Sequence, residues 1–234
     1  MESIFVNNEK INVIVKNSKR SKNVTIHFEE KSMIVKKPTR ISLKKVDKII
    51  KQNKEKIAKL YLKYKENGAI KIKYKNNEKI MFFGNIYNIK IILTELKNEN
   101  IKIKDNLFLI YTSNTSFEYI DKLVKNYFTK VLTEYINENI SKYEKIINVH
   151  VDKIKIRYMK TRFGSAIKAK RSVNFSTLIT MFKKEVIDSV IVHELCHLVY
   201  DNHSKDFWNL VYKVMPEYDE YKKWIKQNNK YFNI

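Results

Sequence analysis

The sequence is poor in the residues that cross-link or interrupt a chain. Its single cysteine, Cys196, excludes an internal disulfide and fits a reducing compartment. Only three glycines occur in 234 residues, Gly68, Gly84 and Gly164. A Walker loop or a dinucleotide fingerprint needs clustered glycines so that backbone N–H groups can approach phosphate, and this spacing excludes both. No stretch approaches the roughly 18 uninterrupted apolar residues of a membrane span. Met1 to Asn12 lacks a basic segment followed by an apolar run, the pattern an export signal needs. The expectation is a soluble, cytoplasmic protein with no membrane partner. Arginine is scarce too: 5 of the 47 basic residues, at Arg20, Arg40, Arg157, Arg162 and Arg171.

What is present is a chain 44% hydrophobic and 12% aromatic. That suffices for a core in one large domain or two small ones, despite a net charge of +22. Such a charge attracts polyanions. Yet the lysines accompany abundant Asn and Ile, which share A/T-rich codons, and the arginine forks that read nucleic acid are few. The charge therefore reads as composition bias on a solvated surface, with weak, nonspecific nucleic-acid binding at most.

Alternating apolar and polar residues over 11–16, 23–28 and 32–36 predict strands, the last ending near Pro38. Ser42 is placed to cap a helix of about 42–66, with Val46, Ile49, Ile50, Ile57, Leu60 and Tyr61 at helical spacing. Strand-like segments follow at 70–74, 79–83, 86–93 and 101–111, with Gly84-Asn85 at hairpin distance between two of them. A long helix over 117–146 would turn Ile120, Leu123, Val124, Tyr127, Val131, Tyr135 and Ile136 inward. Strands near 153–159 and 171–179 precede helices at about 184–200, 204–214 and 217–228. No internal repeat is evident. The pattern predicts an α+β protein of two domains, a strand-rich module over 1–112 with one helix and a helix-rich domain over 113–234.

The chemistry concentrates between Val190 and Val199, where everything is apolar except His193, Glu194 and His197. A helix apolar almost all round is a buried one, and polar groups in its middle are costly unless satisfied. Residues four apart stack on one helical face, close enough for two imidazoles to bind one cation. Glu194 lies about 100° round the helix and can reach a water at that cation. This is the HExxH arrangement, in which two histidines hold zinc and the glutamate is the general base.

Three of the five histidines fall within eleven residues, the third being His203. A turn at Asp201-Asn202 and a new helix capped by Ser204 would bring His203 to the open side of the metal. Three protein ligands and one water make the catalytic zinc arrangement. Asp206 and Glu217 are conceivable substitutes. Cys196 inside the motif reads as a small buried hydrophobe rather than a ligand. Phe207, Trp208, Tyr212 and Trp224 read as packing against the site helix rather than as a base-stacking platform.

The run His193-Glu194-Leu195-Cys196-His197-Leu198, followed by Asn202-His203-Ser204 and Phe207-Trp208, resembles the YgjP-like metallopeptidase family, related in its zinc motif to the SprT-like proteases. Met159-Lys160-Thr161-Arg162-Phe163-Gly164-Ser165 is similar to the family's K-T-R-W-G-S-C element. Asn174 with Leu178, and Met215-Pro216-Glu217-Tyr218, are similar to its N-x-x-L and M-P-x-Y stretches. In the front half Phe83-Gly84-Asn85-Ile86-Tyr87 and Lys19-Arg20 match more loosely. Phe163 replaces the family's Trp and Ala166 its Cys, which argues against an obligatory thiol there. The resemblance implies a zincin-like domain, a small twisted sheet beside the HExxH helix, with an edge strand at about Ser172 to Ile179 that accepts an extended peptide. It also implies that Arg162 and Ser165 lie near the cleft. Arg162 is then a candidate for stabilising oxyanion charge or gripping a substrate carboxylate, against the alternative of an ion pair with a carboxylate such as Asp188.

The function expected is zinc-dependent hydrolysis of peptide or protein substrates, with one Zn2+ per chain. Two alternatives stand beside it: a metal-dependent nucleotide or phosphoanhydride hydrolase, and a DNA-associated protease or basic nucleic-acid-binding module.

Overall fold

Alternating apolar residues build a sheet at once. In the computed structural model, which describes residues 3–6, 9–29, 32–66, 74–159 and 161–228, the first strands are β1 (Ser3–Val6), β2 (Glu9–Ser18), β3 (Thr25–Glu29) and β4 (Ser32–Pro38). They pair in the order β1-β2-β4-β3, with β2 and β4 parallel and the outer pairs antiparallel. One face buries Ile11, Met33 and Val35 against Val46, Ile50, Ile57 and Tyr61 of the following helices.

Those helices are two, α1 (Leu43–Gln52) and α2 (Lys54–Glu66), where the spacing predicted one. Ser42 caps α1 as expected, its hydroxyl accepting from the Lys45 N–H at 3.3 Å. The break falls at Asn53, whose side-chain amide donates to the Ile49 carbonyl at 2.9 Å. A side chain that competes for a backbone carbonyl in this way ends a helix.

This module forms one compact unit, Met1–Gly68, and the remainder another, Ala69–Ile234. The boundary expected after residue 112 falls inside the second unit, because strandedness does not reveal which core a strand joins. The strands β5 (Lys79–Phe82), β6 (Asn85–Leu93), β7 (Asn100–Lys104) and β8 (Leu107–Thr112) share their core with the long helix α3 (Phe117–Ile147). Most of the strand expected at 70–74 lies outside the described residues. The segment 101–111 is two strands, not one, because Asp105 turns the chain at a φ of 53°. The sheet order is β5-β6-β8-β7, again with a parallel central pair between antiparallel ones. A sequence with no visible repeat thus contains the same four-strand topology twice, each followed by helix.

The buried stripe of α3 runs through Ile120, Val124, Phe128, Leu132, Ile136, Ile140, Tyr143 and Ile147, in steps of four or three. Leu123, Tyr127, Val131 and Tyr135 sit at its half-buried margin rather than at its centre.

A third sheet, with order β10-β11-β9, comprises β9 (Lys153–Arg157), β10 (Gly164–Ile167) and β11 (Ser172–Ser176). Strand β10 was not expected, and it changes the assignment of the edge. Strand β11 is central, antiparallel to β10 and parallel to β9, so the segment Ser172 to Ile179 is not an open edge. The chain leaves β11 at Ser176 into a short 3-10 turn, Thr177–Met181, and then enters α4 (Lys184–Val199), α5 (Lys205–Val214) and α6 (Tyr218–Gln227).

The approach to α4 is held from the side. Phe83 and Gly84 both have positive φ, 44° and 77°, and form the two-residue turn between β5 and β6, one position earlier than Gly84-Asn85. Their N–H groups donate to the Thr180 and Met181 carbonyls at 2.8 and 3.0 Å. A methyl group on Gly84 would meet Lys183 Cγ at 2.3 Å, so glycine is required by both conformation and space. No helix among the described residues is long and apolar enough to cross a membrane.

Candidate metal centre

Helix α4 is buried on nearly every side: Val190, Ile191, Val192, Glu194, Leu195, Cys196 and Leu198 are all inaccessible or nearly so. Between them, His193 and His197 emerge half-buried on one face. The chain leaves the helix at Tyr200, and Asn202 accepts the Ser204 N–H at 3.2 Å. Ser204 then caps α5 by accepting from the Phe207 N–H at 3.3 Å. This turn carries His203 back onto the face of His193 and His197.

The three rings meet through Nε2. His203 Nε2 lies 3.1 Å from His193 Nε2 and 3.2 Å from His197 Nε2. Three ligand nitrogens at about 2.0–2.1 Å from one tetrahedral ion lie about 3.3 Å apart, so this donor set fits such an ion. Among the described residues it is the one group of three His, Cys, Asp or Glu side chains able to hold a metal. Asp206 and Glu217 are not part of it, and both side chains are exposed.

The other ring nitrogens are also engaged. His197 Nδ1 lies 3.1 Å from the Tyr200 carbonyl, which can only accept, so Nδ1 carries a hydrogen and Nε2 is the nitrogen turned toward the other two rings. His193 Nδ1 lies 2.9 Å from the Tyr218 hydroxyl, which can accept in the same manner. Burial, reinforced by His197 and His203, pushes the His193 pKa down to about 3, and His203 is shifted down as well, chiefly by desolvation. Both rings are therefore neutral near pH 7, the form that binds cations.

Phe207, fully buried, packs under all three imidazoles, with ring centroids 5.1, 4.5 and 4.8 Å from His193, His197 and His203. Trp208 stacks on His203 at 5.6 Å and 24°. For Phe207 and Trp208 the packing role holds with the histidine rings as its target, whereas Tyr212 packs on Trp208 and Tyr218 and Trp224 on Phe182. Tyr218 is the residue sequence reasoning left without a role. Its contact with His193 spans 25 positions, and no spacing rule links them.

Glu194 is only 6% exposed, and burial pushes its pKa up to about 8, with Arg162 opposing the shift. Gly164 of β10 fits against it so closely that a methyl group there would lie 2.4 Å from Oε1 and 2.6 Å from Cγ. Arg162 itself is exposed. Asp188, the alternative partner considered for it, instead accepts hydrogen bonds from Tyr135 and Tyr143 at 2.9 and 3.0 Å. Ser165 lies on β10, one residue from Gly164, where its hydroxyl accepts from Asn174 at 3.1 Å. Cys196 is buried, and its thiol is pushed up to about 12 by desolvation, so it stays protonated.

Over residues 22–228 the chain matches the family model described as YgjP-like, metallopeptidase domain. Among solved structures it is similar to the metallopeptidase zymogen abylysin of Pyrococcus abyssi, with 20% identity and a TM-score of 0.38 over 42% of this chain and 99% of that one. It is also similar to the metallopeptidase zymogen jannalysin of Methanocaldococcus jannaschii, with 23% identity and a TM-score of 0.36 over 39% of this chain and 94% of that one. None of the curated proteins matches.

Proposed function

The chain belongs to the YgjP-like metallopeptidase family, and from that premise we propose that it hydrolyses peptide bonds with one zinc ion held by His193, His197 and His203 and with Glu194 as general base. The observation that carries this reading is the convergence of three imidazole nitrogens on one point, next to a buried glutamate. Zinc, when bound, supplies a Lewis acid that polarises the scissile carbonyl and brings the pKa of water toward about 7.

The remaining work falls to side chains. Glu194 takes a proton from the attacking water as the water oxygen bonds to the carbonyl carbon. It then gives that proton to the amine nitrogen as the C–N bond breaks, leaving a carboxylic acid and an amine. Burial makes Glu194 a stronger base than a solvated glutamate, and the positive charge of Arg162 favours its ionised form. Arg162 is also the candidate for steadying oxyanion charge on the substrate. Strand β10 ends its sheet beside Glu194, which supports it, rather than β11, as the edge along which an extended peptide adds.

The test is Glu194→Gln. Elemental analysis is expected to find about one zinc per chain in both proteins, while peptide turnover falls by about 10²–10⁴-fold, the usual contribution of a general base. Undiminished turnover would remove Glu194 from the chemistry. An intracellular site of action belongs to the same proposal, as does weak, salt-sensitive attraction of nucleic acid to the lysine-rich surface. Peptide turnover indifferent to added DNA, with no hydrolysis of nucleoside triphosphates, would set aside the two rival activities.

A further inference from the structure

Lysine supplies most of the basic residues, so an exposed lysine means little by itself. Lys222 differs in where it stands. It is four residues after Tyr218, on the same face of α6, and Tyr218 is the residue that meets His193 Nδ1. Its ammonium lies 5.5 Å above the centroid of the Trp208 ring, and that ring stacks on His203. One aromatic ring thus separates a positive charge from the most exposed imidazole of the centre.

A carboxylate stands on the same helix but is not paired with Lys222. Asp219, one turn earlier on α6, has both carboxylate oxygens engaged by the Tyr212 hydroxyl, at 3.1 and 3.2 Å. Among the described residues no ion pair joins Lys222 to an acidic side chain. Trp208, the ring beneath the ammonium, also packs against Tyr218 at 5.7 Å, so Lys222 stands over the aromatic wall of the histidine cluster. A lysine in this place opposes a cation at the histidines. It becomes favourable once an anionic group arrives.

We infer that Lys222 is a specificity-determining residue that receives a carboxylate of the substrate, so that the centre prefers peptides bearing an acidic group close to the bond to be cut. This rests on the peptidase reading above and names the substrate class of that same site. The carboxylate is either an acidic side chain or a free C-terminus, since either presents the same acceptor oxygens to an ammonium. The cation–π contact over the indole occupies none of the ammonium N–H groups with an acceptor oxygen, which leaves donors for that carboxylate.

The experiment uses the full zinc-loaded chain and N-acetylated alanine heptapeptides with a central Glu, Gln or Lys, each made as the C-terminal acid and as the amide. Binding is measured to the Glu194→Gln protein by calorimetry, and kcat/KM with active protein. The Glu or free-acid peptides are expected to bind and turn over about three- to fivefold better than their Gln or amide counterparts, as suits one exposed charge pair. The preference should shrink as salt is added. Lys222→Glu should invert it. Lys223→Glu, which changes net charge equally but lies about 100° round α6, should leave it in place. Peptides bound and cut without regard to charge, or a preference equally altered by both variants, would overturn the inference and leave the peptidase reading standing. Absence of binding and cleavage for every peptide would overturn both. Comparing acid with amide at fixed side chain tells which carboxylate Lys222 receives.

Discussion

Two of the three imidazoles stand on a buried helix and one on an exposed turn, and the two kinds are held differently. His193 and His197 are each fixed at Nδ1, by the Tyr218 hydroxyl and the Tyr200 carbonyl. A hydrogen bond there sets both tautomer and ring direction. His203 is held by rings, edge-on to Phe207 and stacked on Trp208. Stacking tolerates sliding, so it places a ring without aiming its nitrogen. The helix side of the centre is thus preformed, whereas the turn side is adjustable. That difference teaches how a candidate metal site can combine firm positioning with an accessible corner.

The largest effect separates the two sides directly. His193→Ala should weaken zinc binding by well over the roughly 10- to 100-fold that loss of an outer partner costs. His203→Ala should weaken it less, because a water can follow an adjustable ligand more easily than a fixed one. Competition against a chelator of known affinity measures both. Equal losses would break the comparison.

Next in size is Gly164→Ala, which touches the helix side through Glu194 rather than through a ligand. The methyl group would collide with Glu194 Oε1 and Cγ at 2.4 and 2.6 Å, and Glu194 is too buried to swing clear. Since a misplacement of about 1 Å can cost about 10²-fold in rate, turnover should fall by that order while zinc content is unchanged. Normal turnover in this variant would mean that Glu194 does not need its observed position.

The sequence made the helix side readable and left the turn side partly hidden. Four-residue spacing within an apolar run identifies His193 and His197, and the Asp-Asn turn before Ser204 brings in His203, because these are local relations. Gly164 and Tyr218 act across distances no periodicity records. Strand β10 is four residues of Gly-Ser-Ala-Ile, weak in β propensity, and it exists through pairing with β11 and contact with α4. The long helix α3 was legible from one continuous stripe. The break at Asn53 was not, because it depends on a single side chain choosing a carbonyl over solvent. Membership of β5–β8 in the second unit likewise depends on which helix covers them, not on their own alternation.

Tyr218→Phe sharpens the comparison further. It removes one oxygen from the partner of His193 Nδ1 and leaves the ring that stacks near it, at 6.0 Å and 13°. Zinc affinity should drop by about 10- to 100-fold with the fold intact. A drop confined to stability, with zinc affinity unchanged, would make Tyr218 a packing residue only.

The smallest effect is expected where rings do the holding. Trp208→Ala removes the stacked partner of His203 but leaves Phe207 beneath it, so the imidazole loses one wall of two. An aromatic pair contributes about 0.5–1.5 kcal/mol beyond its buried area, which corresponds to roughly 2- to 10-fold in zinc affinity. The loss should fall mainly on the unloaded protein, as wider motion of His203 visible in its imidazole NMR signals. Once zinc is bound, those signals should sharpen to match the wild type, because the ion then aims the nitrogen that stacking alone does not. If Trp208→Ala instead weakened zinc as much as Tyr218→Phe does, rings and hydrogen bonds would be equivalent supports, and the distinction between a fixed and an adjustable side would fall.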